Sequence, residues 1–241
     1  MIGLLKRIPG PLAVAAAGAL LAGGLLWNGG AAISAEEAVA IPAPALDPAD
    51  NSGALQTAVF AGGCFWGVQA VFQHTEGVDN AVSGYAGGTV ENPSYEQVTT
   101  GTTGHAESVA IRYDPHKISY GKLLQIFFSV AHDPTTLNRQ GPDVGTQYRS
   151  AIYTTTDEQK RVAEAYIKQL NEAKVYSGPI VTELAPLNKF FKAEDYHQDY
   201  ATIHPDQPYI VHNDLPKIEN LKVMFPDVWR EKPKLVAAAA A

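Results

Sequence analysis

Cys64 is the one cysteine in the 241-residue sequence, and it stands in the string Gly-Gly-Cys-Phe-Trp-Gly at 62–67. The apolar run 57–61 before it predicts a strand, and the glycines predict a turn into a helix. At a helix N-terminus, unpaired backbone N–H groups and the helix dipole favour thiolate, the nucleophilic form of the sulfur. A lone cysteine can also be a small buried hydrophobe, but this setting favours a nucleophile.

Glu107 lies in the predicted strand 105–113, where alternation places it on the same face as Val109, Ile111 and Tyr113. We expect that face to be buried. A buried carboxyl without a countercharge has a raised pKa and can donate a proton near neutral pH. The alternative is that this strand end lets the carboxylate reach solvent or an arginine.

The stretch 132–147 has no consistent apolar period and is long for a loop inside a compact domain, which is typical of functional loops. Asp143 and Tyr148 are therefore candidates for lining a site. Alternatively, Asp143 stabilises a turn and Tyr148 fills a gap in the core.

Helical and strand patterns alternate along the chain. Strands are predicted near 57–61, 78–84, 105–113, 149–154 and 180–185, and helices at 64–73, 119–131, 157–173 and 193–200. This order predicts an α+β fold, a compact two-layer α/β arrangement of a mixed sheet with flanking helices and a ferredoxin-like core.

Residues 1–40 carry two basic residues, a short apolar stretch and then small residues, which predicts a signal peptide or an N-terminal anchor. We expect export, to a bacterial periplasm, with retention on the membrane if the segment is not cleaved. Residues 41–53 are interpreted as a linker, 54–230 as the catalytic domain and 231–241 as a disordered tail.

The composition narrows the classes of function. The chain has 18 basic against 25 acidic side chains, with the basic ones scattered, so we expect no nucleic-acid binding. One cysteine excludes an intramolecular disulfide framework and a Cys-X-X-Cys pair. The histidines lack metal-ligand spacing, and we predict no metal site.

Five strings occur in order and together resemble the A-type peptide methionine sulfoxide reductases. They are Gly-Gly-Cys-Phe-Trp-Gly at 62–67, Gly-Tyr-Ala-Gly-Gly at 84–88, Gly-His-Ala-Glu at 104–107, His-Asp-Pro-Thr at 132–135 and Gly-Thr-Gln-Tyr-Arg-Ser at 145–150. The resemblance extends from about Thr57 to His212.

The resemblance implies that Cys64 attacks the sulfoxide sulfur and becomes a sulfenic acid. It implies that Glu107 is the acid for the sulfoxide oxygen, and that Tyr95 and Tyr148 supply hydroxyls to the same oxygen. The chemistry requires such groups, because sulfoxide oxygen leaves poorly until it is protonated or strongly hydrogen-bonded.

For the rest of the substrate, the resemblance implies that Phe65 and Trp66 receive the S-methyl group. It implies that Asp143 and His197 contact the substrate backbone. The expected substrates are the S epimer of methionine sulfoxide in oxidised proteins or peptides, and free methionine sulfoxide. We expect the protein to act as a monomer.

Many relatives place resolving cysteines near the C-terminus, and this chain has none there. We therefore expect no bound cofactor and an external thiol reductant such as thioredoxin, glutaredoxin with glutathione, or a periplasmic equivalent.

Two other functions fit parts of the sequence. A papain-like cysteine hydrolase would pair Cys64 with a downstream histidine, among His197, His204 and His212, and with Asn213. An exported binding module would use the aromatic side chains and leave Cys64 inert. The hydrolase does not explain Glu107 on an apolar face or the string Gly-Thr-Gln-Tyr-Arg-Ser at 145–150.

Overall fold

The computed structural model describes residues 37–49 and 53–236, and the predicted leader lies outside these residues except for 37–40. The strands are β1 Gln56–Gly62, β2 Val78–Ala86, β3 Ala106–Tyr113, β4 Arg139–Gln140, β5 Asp143–Val144, β6 Ser150–Thr154, β7 Glu183–Pro186 and β8 Phe190–Lys192. The α-helices are α1 Phe65–Gln73, α2 Tyr95–Thr99, α3 Tyr120–Ile126, α4 Asp157–Ala173, α5 Tyr200–Ile203 and α6 Leu215–Met224. Over the described ranges, no helix combines the length and the apolar character needed to cross a bilayer.

One mixed sheet organises the domain, with the strand order β7-β6-β1-β3-β2-β8. Its neighbouring strands pair antiparallel except β6 and β7, which are parallel. The inner order β6-β1-β3-β2, with α1 joining β1 to β2 and α3 joining β3 to β6, is the split βαβ arrangement of ferredoxin-like folds. The predicted α+β fold with a mixed sheet and flanking helices is confirmed.

The main core lies between the sheet and its helices. Phe60 of β1 stacks on Phe127 with ring centroids 4.8 Å apart, and it contacts Phe72 of α1 at 5.7 Å. The opposite face of the sheet carries a smaller cluster with short side chains such as Ala61 and Ala151. The helices therefore cover one face of the sheet, as expected of a two-layer domain.

Two predicted helices differ in detail. The predicted helix 119–131 ends as α3 at Ile126 and continues as a π-helical turn, Phe127–Ala131, whose five residues are all buried. The predicted helix 193–200 is interrupted because Asp199 adopts a left-handed backbone conformation with φ of 59°. A single-turn 3₁₀ helix, Asp195–His197, lies before this break and α5 lies after it.

The predicted linker 41–53 is attached to the domain over much of its length. It forms no helix or strand where it is described, but Tyr166 of α4 donates a hydrogen bond to the carbonyl of Pro42 at 2.6 Å. The backbone N–H of Gly121 donates to Asp47 at 3.0 Å. The linker interpretation is therefore corrected for these residues, because their backbone and carboxylate groups are hydrogen-bonded to the helices.

The predicted tail 231–241 is also ordered as far as residue 236. The backbone N–H of Lys234 donates to the carbonyl of Gln73, and that of Val236 donates to Asp199 Oδ1, each at 3.0 Å. These contacts correct the prediction for the first half of the segment, and the final alanines lie outside the described residues.

Candidate active site

Cys64 lies between β1 and α1, at the strand-to-helix turn that the sequence predicts. Gly63 has φ of +85°, and a Cβ at this position would stand 2.5 Å from the side chain of Gln140. Only glycine fits both the left-handed backbone and this close approach. The turn therefore fixes Cys64 directly before the first residue of α1.

A cavity of about 170 Å³ opens beside Cys64. Its walls come from the start of α1, the start of α2, the beginning of β3 and the loop around β5. The lining residues are Cys64, Phe65, Trp66, Tyr95, Glu107, Asp143, Tyr148 and Tyr209. We call this space beside Cys64 the main cavity. It brings together seven of the eight predicted site residues, all except His197, and adds Tyr209.

Glu107 is 2 % exposed, on the buried face that the alternation of β3 predicts. Its Oε2 accepts a hydrogen bond from the backbone N–H of Phe65 at 3.0 Å. Burial raises the pKa of Glu107 to about 8, against the opposing effect of this N–H, and the nearby charge of Asp143 raises it further. Glu107 is therefore a protonated acid at neutral pH, and it reaches neither solvent nor an arginine.

Tyr95 and Tyr148 face the main cavity from two different segments. Tyr95 is the first residue of α2, which Ser94 caps, and its backbone N–H donates to Glu194 at 2.9 Å. Burial raises the pKa of Tyr95 to about 12 and that of Tyr148 beyond it, with an added effect of the Glu107 charge on both. Both side chains therefore keep their hydroxyl protons and can donate hydrogen bonds.

Phe65 and Trp66 form the apolar wall of the main cavity. The Trp66 indole stacks on Tyr200 with ring centroids 3.9 Å apart, and its Nε1–H donates to His197 Nδ1 at 3.2 Å. The Phe65 ring lies 5.0 Å from the His197 ring. These contacts hold two aromatic faces next to Cys64, which gives an apolar surface beside the sulfur.

His197 lies behind this wall, and its contact with the substrate stays a prediction. It is 2 % exposed, and it does not line the main cavity. Burial lowers its pKa, so the ring is neutral and Nδ1 can accept the Trp66 indole hydrogen. The geometry makes His197 a support for Trp66.

Asp143 is held by a residue that the sequence reasoning did not find. The hydroxyl of Tyr209 donates to Asp143 Oδ2 at 2.5 Å. Burial raises the pKa of Asp143, while the Tyr209 hydrogen bond and the Lys217 charge oppose this rise. The Tyr209 ring also meets Trp66 edge-to-face at 5.9 Å, so one side chain supports both the acidic and the apolar parts of the cavity.

The resting state of Cys64 differs from the predicted thiolate. Burial raises the pKa of its thiol well above the usual range, and the charges of Glu107 and Asp214 raise it further. The hydrogen bond from the backbone of Trp66 acts in the opposite direction but is outweighed. Cys64 is therefore a thiol at rest, because desolvation, the largest effect, exceeds the effect of the helix end even while Glu107 is protonated.

The residues that sequence reasoning missed come from segments distant in the chain. Tyr209 and its partner Asp143 are separated by 66 positions, and Glu194 reaches back 99 positions to Tyr95. The sequence feature that could have pointed to Tyr209 is its place at the end of the polar string His-Pro-Asp-Gln-Pro-Tyr at 204–209, which lacks an apolar period.

Two carboxyl groups, those of Glu107 and Asp143, line the cavity, and no group of three or more His, Cys, Asp or Glu side chains in the described part of the chain is arranged to hold a metal ion. What the arrangement supplies is a nucleophilic sulfur, a neutral carboxylic acid, two phenols and an apolar wall. Such a set can protonate an oxygen while the sulfur attacks the atom that bears it.

Comparison with known proteins shows which family the chain belongs to. The family model described as Peptide methionine sulfoxide reductase matches residues 56–227. The chain is 60% identical over 185 residues to "Peptide methionine sulfoxide reductase MsrA 2" of Mesorhizobium japonicum, which covers 77% of this chain and 95% of that protein.

Solved structures agree. The fold is similar to methionine sulfoxide reductase A of Corynebacterium diphtheriae, with a TM-score of 0.56 and 36% identity, covering 70% of this chain and 85% of that one. It is also similar to reduced Mxr1 of Saccharomyces cerevisiae, with a TM-score of 0.58 and 31% identity, covering 67% and 92% of the two chains. The resemblance seen in the sequence is confirmed, and the chain belongs to the A-type peptide methionine sulfoxide reductase family.

Proposed function

We propose that Cys64 carries the catalytic cycle of this reductase through a sulfenic acid that an external thiol reduces. As a member of its family, the enzyme reduces methionine sulfoxide to methionine, which repairs oxidised proteins. The observation that carries the proposal is the meeting of Cys64 and a protonated Glu107 in the main cavity.

The substrate pose follows from the chemistry of each wall. The S-methyl group packs on Phe65 and Trp66, because these supply the apolar surface next to the sulfur. The sulfoxide oxygen points to Glu107, Tyr95 and Tyr148, the three groups that can donate hydrogen bonds to it. The peptide N–H groups face Asp143.

In the first half-reaction, the Cys64 sulfur forms a bond to the sulfoxide sulfur while Glu107 protonates the sulfoxide oxygen. The oxygen then moves to the Cys64 sulfur: its bond to the methionine sulfur breaks, the new bond between the two sulfurs breaks as methionine leaves, and the thiol proton of Cys64 replaces the one that Glu107 gave. One thiol and one sulfoxide become one sulfenic acid and one thioether, with no net change in protons.

Regeneration requires a second sulfur. The sequence contains one cysteine, so Cys64 cannot form a disulfide within this chain. We propose that thioredoxin, glutaredoxin with glutathione, or a periplasmic equivalent supplies the thiols. Two thiols would reduce the sulfenic acid to a thiol and release water and a disulfide.

A cysteine hydrolase is not favoured by the site. Such an enzyme needs a histidine base within hydrogen-bond reach of its sulfur. No histidine lines the main cavity, and Nδ1 of His197 already accepts a hydrogen bond from Trp66. A binding module with an inert sulfur would not need the proton-donating carboxyl of Glu107 in the same cavity.

The test is a single turnover without reductant. The enzyme is mixed with an excess of each epimer of N-acetyl methionine sulfoxide, methionine is counted, and the protein is weighed. We expect one methionine per Cys64 from the S epimer and the added mass of one oxygen atom on Cys64. The Cys64→Ser variant should give neither. Repeated turnover without a thiol would contradict the proposed cycle.

We also propose that the protein is exported to a bacterial periplasm and acts as a monomer. The export proposal is supported by the basic, apolar and small-residue pattern of residues 1–40. Cell fractionation with sequencing of the mature N-terminus tests the location and distinguishes cleavage from a retained anchor. Light scattering of the purified protein tests the monomer.

A further inference from the structure

Glu194 connects two tyrosines through its two carboxylate oxygens. Its Oε1 accepts a hydrogen bond from the backbone N–H of Tyr95, and its Oε2 accepts one from the hydroxyl of Tyr85, each at 2.9 Å. Burial acts to raise the pKa of Glu194, but hydrogen bonds from its own backbone N–H, from Tyr95 and from Tyr85 lower it below the usual range. Glu194 is therefore a carboxylate at neutral pH. We call this connection between the two tyrosines the Glu194 link.

One end of the Glu194 link lies in the sheet, beside the acid of the site. Tyr85 is fully buried and is directly opposite Glu107 in the antiparallel pair of β2 and β3. Residues opposite each other in such a pair have their side chains on the same face of the sheet. The Tyr85 ring also packs near the Phe65 ring, with centroids 5.9 Å apart. The Tyr85 hydroxyl therefore attaches Glu194 to the strand pair that carries Glu107.

The other end of the Glu194 link is the first residue of α2. The first N–H groups of a helix have no acceptor inside the helix. The Ser94 side chain accepts the N–H of Gln97, and the N–H of Tyr95 is left to Glu194. Because α2 is only five residues long, contacts from outside the helix must keep its ends in place. Glu194 therefore fixes the backbone position from which the Tyr95 side chain faces the main cavity.

The far end of α2 is held by a different segment. Gln147, the neighbour of Tyr148 in the chain, donates through its side-chain amide to the carbonyl of Thr99 at 3.3 Å. Tyr148 is thus connected to the end of α2, whereas Tyr95 is connected to Glu194 at its start. Loss of the Glu194 carboxylate should therefore release Tyr95 and leave Tyr148 in place.

The segment that carries Glu194 is anchored without the Glu194 side chain. The backbone N–H of Ala193 donates to the carbonyl of Ser83 in β2 at 2.9 Å. The Gln198 side-chain amide donates to the carbonyls of Ser83 and Ala193, at 3.0 and 3.1 Å. These bonds stand on both sides of Glu194 in the chain. Removal of the carboxylate therefore breaks the Glu194 link and leaves the segment attached to the sheet.

We propose that Glu194 is a positioning residue that sets the place of the Tyr95 hydroxyl relative to Glu107. This inference rests on the proposed function, in which Tyr95 and Glu107 both donate to the sulfoxide oxygen. Donors stabilise a developing charge only when they are held where it forms, and a displacement of about 1 Å can slow a reaction about 100-fold. Glu194 does not line the main cavity, so it acts on the oxygen through Tyr95.

The experiment is a double-mutant cycle on the burst of methionine release, measured by rapid quench without thiol at saturating N-acetyl methionine S-sulfoxide. Glu194→Ala is made in the wild type, in Tyr95→Phe and in Tyr148→Phe. Each phenylalanine variant lacks one hydroxyl donor, so the comparison reports which phenol depends on Glu194. Asp195→Asn is the matched control, because it removes one negative charge at the next position, where the side chain is 93 % exposed and pairs with Lys192.

We expect Glu194→Ala to slow the burst about tenfold in the wild type and in Tyr148→Phe. In Tyr95→Phe it should slow the burst less than about twofold, because phenylalanine has no hydroxyl to misplace. The amplitude should remain one methionine per Cys64, and Asp195→Asn should match the wild type. A general structural role for Glu194 would instead slow the burst equally in all three backgrounds.

Tyr85→Phe keeps the test available if Glu194→Ala does not fold. This change leaves the ring beside Phe65 and removes only the hydroxyl that attaches Glu194 to β2. We expect it to slow the burst several-fold in the wild type and to have little further effect in Tyr95→Phe.

A wild-type burst rate in Glu194→Ala, or equal slowing by this change in the wild type and in Tyr95→Phe, would overturn the proposal. The same two outcomes for Tyr85→Phe overturn it where that variant is used. Absence of a burst in the wild type would instead contradict the proposed function, so the two failures are distinguishable.

Discussion

The backbone N–H of Phe65 donates to Glu107 Oε2 at 3.0 Å. Phe65 is the first residue of α1 and follows Cys64 directly, and the first N–H groups of a helix have no partner inside the helix. The carboxyl therefore caps the helix that presents the nucleophile. One carboxyl oxygen is fixed by this bond, and the other is left to carry the proton toward the main cavity.

Replacing Glu107 by Gln tests this arrangement. Gln keeps an oxygen that can accept the Phe65 N–H, but it has no proton to transfer to the sulfoxide oxygen. We expect the burst rate to fall about 10²- to 10⁴-fold, the usual contribution of general acid catalysis. The measurement is rapid-quench release of methionine without thiol, with the exposed Glu183→Gln as control. A burst within about threefold of the wild type would exclude Glu107 as the acid.

The same variant changes how stability depends on pH. The pKa of Glu107 is about 8 in the folded protein against 4.5 for an ordinary glutamate. Between these values the folded state keeps a proton that the unfolded state has lost, so stability falls as the pH rises through this window.

Because glutamine does not titrate, the unfolding free energy of Glu107→Gln should depend less on pH than that of the wild type. From pH 5 to pH 8, we expect the wild type to lose ~3 kcal/mol of unfolding free energy relative to the variant. Urea titrations of both proteins at the two pH values measure the difference. Parallel pH profiles would show that Glu107 is already ionised in the folded protein near pH 5.

The features that depend on a single strand, turn or helix were predicted correctly from the sequence. Alternation along β3 is a local property, and it predicted the buried face of Glu107. Two glycines before Cys64 predicted the turn, and the apolar period predicted α4. For these residues, the backbone pattern alone decides where the side chain points.

The same reasoning failed where distant segments meet. The state of the Cys64 thiol depends first on its burial and then on the carboxyls brought by β3 and by the segment after α5, which together outweigh the local effect of the helix end. The position of His197 behind Trp66 depends on packing between segments 131 positions apart. No local pattern encodes these contacts, because they arise only when the chain is folded.

Tyr209→Phe isolates the hydrogen bond to Asp143. The ring remains beside Trp66, but Asp143 loses the donor that fixes its orientation toward the peptide. A hydrogen bond to a charged group contributes about 1.5–3 kcal/mol, so we expect KM for a peptide substrate to rise about tenfold with kcat changed much less. Steady-state kinetics with a methionine sulfoxide peptide measure both constants. Tyr200→Phe, which keeps the ring stacked on Trp66, is the control, and a change in kcat alone would contradict the positioning role.

His197→Phe tests the support of the apolar wall. Phenylalanine fills the buried space but cannot accept the Trp66 indole hydrogen, so the indole is less firmly oriented against the S-methyl group. Because one methylene in a well-formed pocket is discriminated about 10-fold or more, we expect the preference for S-methyl over S-ethyl sulfoxides to fall several-fold. The ratio of kcat/KM values for the two substrates measures this, with the exposed His204→Phe as control. An unchanged ratio would show that Trp66 is held without His197.

Asp47→Ala tests whether the segment before β1 stabilises the domain without acting in catalysis. Asp47 accepts hydrogen bonds from Ser119 Oγ at 2.5 Å and from the backbone N–H of Gly121 at 3.0 Å, at the start of α3. The loss of both should lower the unfolding free energy by ~1–3 kcal/mol in urea titrations, whereas the exposed Glu172→Ala on α4 should not.

The kcat/KM of Asp47→Ala should equal that of the wild type, because Asp47 bonds to the helix layer and lies outside the lining of the main cavity. A matching loss of activity would mean that a structural change at the start of α3 also alters the main cavity, through the π-helical turn Phe127–Ala131. That turn packs under Gly62 through the ring of Phe127, where a Cβ on the glycine would stand 2.9 Å from the ring. Stability and activity therefore separate in this variant only if the turn beside Cys64 is held by β1 and α1 themselves.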